Sequence, residues 1–599
     1  MPGLNISRKE AAERSATIST HSYQVSIDVT KGNEYFLTKS VVKFSAKSGD
    51  ATFIDAVGRK VLTAKLNGVD VDTSNYDGES IFLKNLADDN ELVIELEALY
   101  SKTGEGLQLS VDPVDNEVYL YSQGETAYIR KMYPCFDQPD LKATFQLTVV
   151  APSHWEIISN SPVKEVKSLD EKSKQWEFLP TPRISTYITA LVAGPYYHVH
   201  DEYQGQKKVP LGIYCRKSLA KYLDPEEIFL VTKQGFEYFE KVFGLAYPFE
   251  KYDQIAVVDF NWGAMENSGC VTFLERLLVF QSKATQQLYD QRANTILHEM
   301  AHMWFGNMVT MKWWDDLWLN ESFAEWSAHL AASEATRFTH AWTAFNSARK
   351  NWAYRQDQLG STHPIVSDMV DIETVNANFD GITYAKGASV LQQLVAHVGR
   401  ENFIAALRNY FAKHAFKNTT LDDLLIELEK TSGRDLKPWV ATWLQTAGVN
   451  TLRPEIVVSD NKYSKVNVLQ EFPKIPAGSK ELRPHRLAVG LYDIKGDKLV
   501  RRESVELDVS GTSTSVDGLI GEDQADLLLI NDKDMSYAKV RLDDRSIATL
   551  KTHIGKVDDD LTRSMLWAVI WDMLRDAELS ATDFIEILLS GIEAETNIS

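Results

Sequence analysis

The spacing of apolar and polar positions changes period three times along the chain. Residues 7–18 read as a short surface helix. From about residue 20 to 195 the apolar positions alternate, and residues 23–29, 41–45, 91–96 and 144–150 are strand-like runs. Turn residues such as Asn67-Gly68 and Tyr76-Asp77-Gly78 separate them, which predicts a β-sandwich-like domain. From about 220 to 449 the period becomes helical, as at 321–335, 388–397 and 421–430; Thr420 with Asp422 and Asp423 supplies an N-terminal cap and acidic first turn to the last of these, and Gly448 closes the region. Alternation returns at 454–458, 487–492, 526–530 and 538–542, a second and smaller β-sandwich, before helices resume at 561–574 and 581–591. There is no internal repeat and no low-complexity tract. A multidomain α+β chain is expected, with a β domain over 1–195, a mainly α domain over 196–449, a small β-sandwich over 450–545 and helices over 546–599.

Composition narrows the function classes. At 599 residues the chain should hold three or four domains, and 44% hydrophobic with 25% charged residues is ordinary for a globular protein. A net charge of −21 without a basic run argues against nucleic acid; an acidic field favours cationic substrates, though most of it serves solubility. Three cysteines, Cys135, Cys215 and Cys270, suggest no disulfide framework, and each reads as a small buried hydrophobe in a reducing interior. Residues 1–18 are charged and Ala-rich without an apolar centre, so no signal peptide is expected, and no run of 18 apolar residues predicts a membrane span. A cytoplasmic monomer is the expectation.

Chemistry enters with His298-Glu299-Met300-Ala301-His302, followed 18 residues later by Asn320-Glu321. On a helix, residues four apart share a face, so both imidazoles can meet one zinc ion. Glu299 is rotated by roughly 100° from His298 and can stand beside a metal without binding it. Glu321 can supply a third ligand from a following helix. Two His and one Glu leave a fourth position open, the pattern of a catalytic and not a structural zinc. A chance match would be a solvated helix face, but Ile296, Met300 and Met303 form an apolar stripe on a different side from the two His.

Two further stretches are ambiguous alone. Gly263-Ala264-Met265-Glu266-Asn267 lies between strand-like runs at 254–259 and 270–273. It is either a turn with a surface charge or a loop offering backbone groups to an extended peptide. Tyr384, at the start of a helix, either packs or donates to a developing oxyanion. Together with the metal motif these stretches resemble the M1 family of zinc aminopeptidases, gluzincins related to the bacterial type of aminopeptidase N. That family has G-x-M-E-N, then H-E-x-x-H-x18-E, then a Tyr. Asn320-Glu321-Ser322-Phe323-Ala324, Tyr133-Pro134-Cys135-Phe136-Asp137-Gln138-Pro139-Asp140, the stretch 482–487 and the stretch 531–534 extend the resemblance over essentially the whole chain.

The resemblance implies a thermolysin-like catalytic domain over 196–449 and removal of the N-terminal residue from peptides by attack of a zinc-activated water. By the same resemblance His298, His302 and Glu321 hold one zinc per chain; Glu299 is the general base and then passes the proton to the leaving amine; Tyr384 stabilises the oxyanion. Glu266, with Gln123 and Glu125 from the first domain, binds the free α-amine of the peptide, and the stretch from Gly263 through Ala264, Met265 and Glu266 to Asn267 lies along the peptide. An α-amine is largely cationic at neutral pH, so carboxylates at a fixed distance from the metal measure one residue. Glu325, one turn beyond Glu321, reads as an ion-pairing residue beside the ligand, and Asp315 and Asp316 are further nearby acids. Trp262 and Phe379 either line an apolar side-chain pocket or pack in the core.

Alternatives on the same fold are an epoxide hydrolase of the leukotriene A4 hydrolase branch, which lacks the small β domain, and a non-catalytic M1-like scaffold, which lacks the H-E-x-x-H. A zinc endoprotease would not need the amine-anchoring residues. Large family members continue into a long helical domain of which 546–599 would be the beginning; a fragment or short form is therefore expected. Leu566, Trp567, Ile570, Trp571 and Leu574 should then leave apolar helix surface uncovered.

Overall fold

A computed structural model describes residues 3–595; the last four residues of the predicted segment 546–599 lie outside the described residues. Packing divides the chain into two units. The first comprises the chain through Asn320 with Asp368–Ala377 and Tyr410–Asp422; the second comprises Glu321–Ser367, Asn378–Asn409 and everything from Asp423 onwards.

The first unit is β-rich at its N-terminal end. Its largest sheet has eight strands, with Ile18–Asp28 parallel to Thr144–Pro152 and antiparallel to Tyr35–Ala46. The alternation expected at 23–29 is realised: Tyr23, Val25 and Ile27 are buried while their neighbours are not. This is the period-two pattern of a sheet with one covered face. A four-stranded sheet includes Val118–Gln123 and so ends one strand on Gln123. A five-stranded sheet runs in the order Tyr197–Gln204, Lys208–Cys215, Tyr252–Val257, Cys270–Leu274, Ala264–Met265. The stretch expected as a loop thus contains a two-residue edge strand, with Ala264 opposite Phe273 and Met265 opposite Thr272. Against this region pack the helices Pro225–Phe243 and Gln286–Ala301. Gly235 permits their close approach, since a Cβ there would come within 2.6 Å of Leu297 and 2.9 Å of Met300. The predicted stripe Ile296, Met300 and Met303 is buried.

In the second unit, helices such as Gly387–Val398 are joined by two π-helical turns, Phe345–Lys350 and Ile382–Lys386. Beyond residue 450 come two antiparallel-rich sheets. One contains Thr451–Ser459 and Lys462–Glu471, the other His485–Lys495 flanked by Lys498–Val509 and Leu527–Asp532. Leu452, Val466 and Val468 of the first share a core with Leu487, Val489, Leu491 and Leu529 of the second. The helices Asp544–His553, Asp560–Arg575 and Ala581–Gly591 add Leu550, Leu566, Ile570 and Ile587 to the same core. This corrects the expectation of an uncovered apolar face: Leu566 and Ile570 are fully buried, Trp567 and Leu574 are half-buried, and only Trp571 of the five is exposed. Among the described residues no helix is long and apolar enough to cross a membrane.

Candidate metal centre and amine anchor

The helix Gln286–Ala301 begins where the Thr285 hydroxyl accepts from the Leu288 N–H and ends at His302, whose N–H still donates to the His298 carbonyl at 3.3 Å. The two imidazoles therefore lie on one face, ring centroids 4.7 Å apart and nearly perpendicular. The chain then turns back through Gly306 at φ +108°, a conformation that L side chains avoid. The N–H groups of Asn307 and Met308 close the turn on the carbonyls of His302 and Met303. From beneath, Lys142 donates to the carbonyls of Asn307 (3.2 Å) and Met308 (3.0 Å). Burial, aided by Arg183, pushes this lysine well below its ordinary pKa.

The hydrogen bonds of His302 decide which nitrogen can meet a metal. Its Nδ1 lies 2.5 Å from Asn320 Oδ1 and 3.1 Å from the Phe305 carbonyl. Both are acceptors, so Nδ1 carries the proton and Nε2 carries the lone pair. Glu321 follows Asn320 on the helix Trp318–Ala335, and the division between the packing units falls between these two residues, inside that helix. Helical continuity brings Glu321 to the imidazoles: one ligand atom from each of His298, His302 and Glu321 lies within 4.8 Å of the others. All three are buried. Two imidazoles and one carboxylate are a donor set that suits a divalent metal of the zinc type, so the residues present fit such an ion. Glu299 stands beside this group, its carboxylate within 4.8 Å of Glu266 and His302. Under it lies Tyr252, whose phenol burial, and secondarily the Glu299 charge, hold well above its ordinary pKa.

The first unit contributes three more of the predicted residues. Gln123 Nε2 reaches Met265 Sδ and the Glu125 carbonyl, both at 3.5 Å. The carboxylates of Glu125 and Glu266 approach within 4.8 Å of each other although both are buried. Two ionised carboxylates so placed repel, and either a cation or a shared proton relieves the repulsion. Glu266 is fixed at both ends: its carbonyl accepts from Asn307 Nδ2 at 2.7 Å and its Oε1 accepts from Asn320 Nδ2 at 3.0 Å. Of the rest of this stretch, Gly263 is exposed, Ala264 half-buried, and Met265 and Asn267 buried.

In the second unit Tyr384 is half-buried and lies inside the π-helical turn Ile382–Lys386, not at the head of an ordinary helix. Such single turns redirect a side chain and recur at functional sites. Its ring lies 6.5 Å from Phe379 and 6.2 Å from Trp352. Arg349, from the other π turn, sits 6.0 Å from the Tyr384 ring and grips Glu325 with two bonds of 2.6 and 2.9 Å. Glu325 is thus an ion-pairing residue, as its position one turn after Glu321 implied. Asp316 bonds the Leu421 N–H, and burial raises its pKa to about 6; Asp315 pairs with Arg8. Sequence reasoning passed over Asn307, Lys142 and Arg349, and gave Asn320 and Gly306 no role. The available signals were the Gly-Asn pair four residues after the second His and the Asn immediately before Glu321.

Residues 229–443 match the Peptidase family M1 domain, residues 19–188 the Peptidase M1 N-terminal domain, and residues 527–599 the ERAP1-like C-terminal domain. Over its whole length the chain is 51% identical to "Aminopeptidase N" of Streptomyces lividans, covering 71% of that protein. It is 32% identical to "Leucyl aminopeptidase" of Saccharolobus solfataricus over 82% of this chain and 62% of that one. It is 33% identical to "Probable aminopeptidase 2" of Sulfurisphaera tokodaii over 76% of this chain, spanning 56% of that relative's length. The chain belongs to peptidase family M1, as an aminopeptidase N of bacterial type.

Proposed function

We propose that this chain is a zinc-dependent aminopeptidase that removes the N-terminal residue from peptides bearing a free α-amine. The observation that carries the reading is that Glu321, which groups with His298 and His302, also groups with the carboxylates of Glu125 and Glu266, so the metal donors and a pair of further acids adjoin. Metal donors alone would support any hydrolase. A pair of buried carboxylates beside them is a receptor for an ammonium group, and an ammonium at a fixed distance from the scissile carbonyl defines an exopeptidase.

His298, His302 and Glu321 would hold one zinc ion, which when bound supplies Lewis-acid polarisation of water and of the scissile carbonyl. Glu266 and Glu125, with Gln123, hold the α-ammonium and set the register of the peptide. The edge strand at Ala264–Met265 offers backbone groups to the extended substrate. Glu299 takes a proton from the attacking water and delivers it to the departing amine. The Tyr384 hydroxyl donates to the carbonyl oxygen as charge gathers there. The domain organisation follows from the same reading: an N-terminal β domain to about 195, a thermolysin-like catalytic domain to 449, a small β-sandwich to 545 and the first helices of a further domain. The three buried free thiols fit a reducing, cytoplasmic setting, and the site as described needs no second copy.

Metal analysis joined to a panel of aminoacyl reporter substrates tests this. One zinc per chain and turnover of aminoacyl reporters but not of N-acylated ones is the expected result, and Glu299→Gln should keep the metal while losing roughly 10²–10⁴-fold in rate. Turnover that survives Glu299→Gln, or equal turnover of N-blocked substrates, would overturn it.

A further inference from the structure

We propose that Asn320 is a positioning residue that ties the amine-anchoring carboxylate of Glu266 to the metal-binding imidazole of His302. The inference rests on the aminopeptidase reading and adds to it a physical link between the two halves of the site. Asn320 is 1% exposed, and its amide bonds in two directions. Nδ2 donates to Glu266 Oε1 at 3.0 Å; Oδ1 accepts from His302 Nδ1 at 2.5 Å.

These bonds form a sequence of dependences. An ionised carboxylate only accepts, so the face of the amide toward Glu266 must be its NH2. Its oxygen is then turned to the imidazole, which must answer with Nδ1–H. That tautomer places the lone pair on Nε2, where a metal can take it. The charge of Glu266 therefore selects the tautomer of a metal ligand about one side chain away. The same amide fixes the spacing between the anchor and the metal, which is the length that distinguishes one residue from two.

The surrounding chain is built around this amide. A Cβ on Gly306 would lie 2.0 Å from Asn320 Oδ1, so the positive-φ turn after the metal helix is glycine for the room as well as for the backbone. Asn307, next in that turn, donates to the backbone carbonyl of Glu266 at 2.7 Å, so Glu266 is held at its backbone by the turn and at its carboxylate by Asn320.

The test uses the full chain, with Asn320→Asp and Asn320→Ala, a zinc dissociation constant from chelator competition, KM and kcat at saturating zinc, and thermal melting as a check on folding. Asn320→Asp keeps an acceptor for His302 and replaces the donor to Glu266 with a like charge. Its zinc affinity should stay within about 3-fold of wild type, where Asn320→Ala loses roughly 10–100-fold. Both should change KM for aminoacyl reporters by about 10-fold or more with a smaller change in kcat, since each loses a bond to a charged group. Equal zinc loss in the two variants, or an unchanged KM in both, would overturn the proposal. If Asn320→Ala does not fold, Asn320→Asp against wild type decides it alone, by zinc affinity retained with KM altered or by any other pattern. A wild type that binds zinc but turns over no aminoacyl reporter would instead overturn the function, leaving the zinc arm to judge Asn320.

Discussion

Two buried polar clusters in this molecule are alike in burial and opposite in design. In the second unit Arg483 is 1% exposed, and its guanidinium donates to Asn450 Oδ1, to the carbonyls of Thr442, Thr446 and Ala447 and to the Thr446 hydroxyl. Asn450 in turn gives its amide hydrogens to the carbonyls of Glu471 and Glu481. Donors meet acceptors, and the cluster is closed on itself. In the first unit the residues around Asn320 end differently. Carboxylate faces carboxylate at Glu125 and Glu266, and Gln123 Oε1 and Asn267 Oδ1 are buried with no protein partner among the described residues. A closed network stabilises a fold; one that gathers like charges and leaves acceptors over is a site for something cationic.

Breaking each cluster should therefore produce opposite symptoms. The largest effect expected is on Glu266→Ala, which removes one side of the ammonium receptor. Truncating a buried charged partner costs about 2–5 kcal/mol, so kcat/KM on aminoacyl reporters should fall by roughly 30-fold to several thousand-fold. Zinc content at saturating metal should stay near that of wild type because the donor set is intact, and melting should move little because relief of the repulsion with Glu125 offsets the bond that Asn320 loses. Full activity in this variant would remove the amine-anchor role. Arg483→Met should do the reverse. It strips donors from at least three buried acceptors, a loss of about 3 kcal/mol or more of stability in denaturant unfolding. Activity per folded molecule should be unchanged; a selective loss of turnover without loss of stability would show that the closed cluster is not purely structural.

A pH experiment sharpens the same contrast. His485 lies in the closed region, and burial together with Arg483 pushes its imidazole down to about 3. Its folded pKa is thus below the usual 6.5, and the unfolded chain takes a proton that the folded one refuses. Its contribution to stability is fully present above about pH 6.5 and is lost as pH falls toward 3, at up to about 1.4 kcal/mol per pH unit. Asp316, in the first unit, has the opposite sign: its carboxyl is raised to about 6, so its contribution is present at low pH and is lost as pH rises through 6. His485→Gln should flatten the acid limb of the unfolding midpoint, and Asp316→Asn should flatten the loss of stability as pH rises from about 4 to about 6. An acid limb unchanged by His485→Gln would mean that other groups carry it.

What the sequence made legible follows the range of the interactions. Period-two alternation located Ile18–Asp28 and Thr144–Pro152, and helical spacing placed the stripe Ile296, Met300, Met303, because each is set by neighbours a few residues away. The metal donors were legible because two of them sit four apart on one helix. The role of Asn320 was not, since it depends on Glu266, 54 positions earlier in the chain, and on a turn whose glycine is needed only because that amide is there. The π turn at Ile382–Lys386 was likewise missed, because the residues 382–386 satisfy an ordinary helical pattern and the extra residue per turn leaves no local signature. The uncovered face expected around Leu566 failed because the pattern shows which helix face is apolar, not that the small β sheets cover it.

The smallest effect concerns selectivity. Trp262, directly before Gly263, is 39% exposed and lines a hollow of about 550 Å3 with Phe260, Arg276, Leu277 and Phe280. An aromatic side chain of that exposure, next to the stretch that would lie along the peptide, can be a wall for the first substrate side chain. Apolar pockets discriminate weakly, by about 1–3 kcal/mol per methylene-sized difference, so Trp262→Ala should reorder the preference among large and small apolar aminoacyl reporters by roughly 10-fold or more. Zinc content and the dependence on Glu266 should be untouched, because neither the donor set nor the ammonium receptor includes this ring. A preference order identical to that of wild type would assign Trp262 to packing alone. The open cluster would then specify the amine without also shaping the pocket beside it.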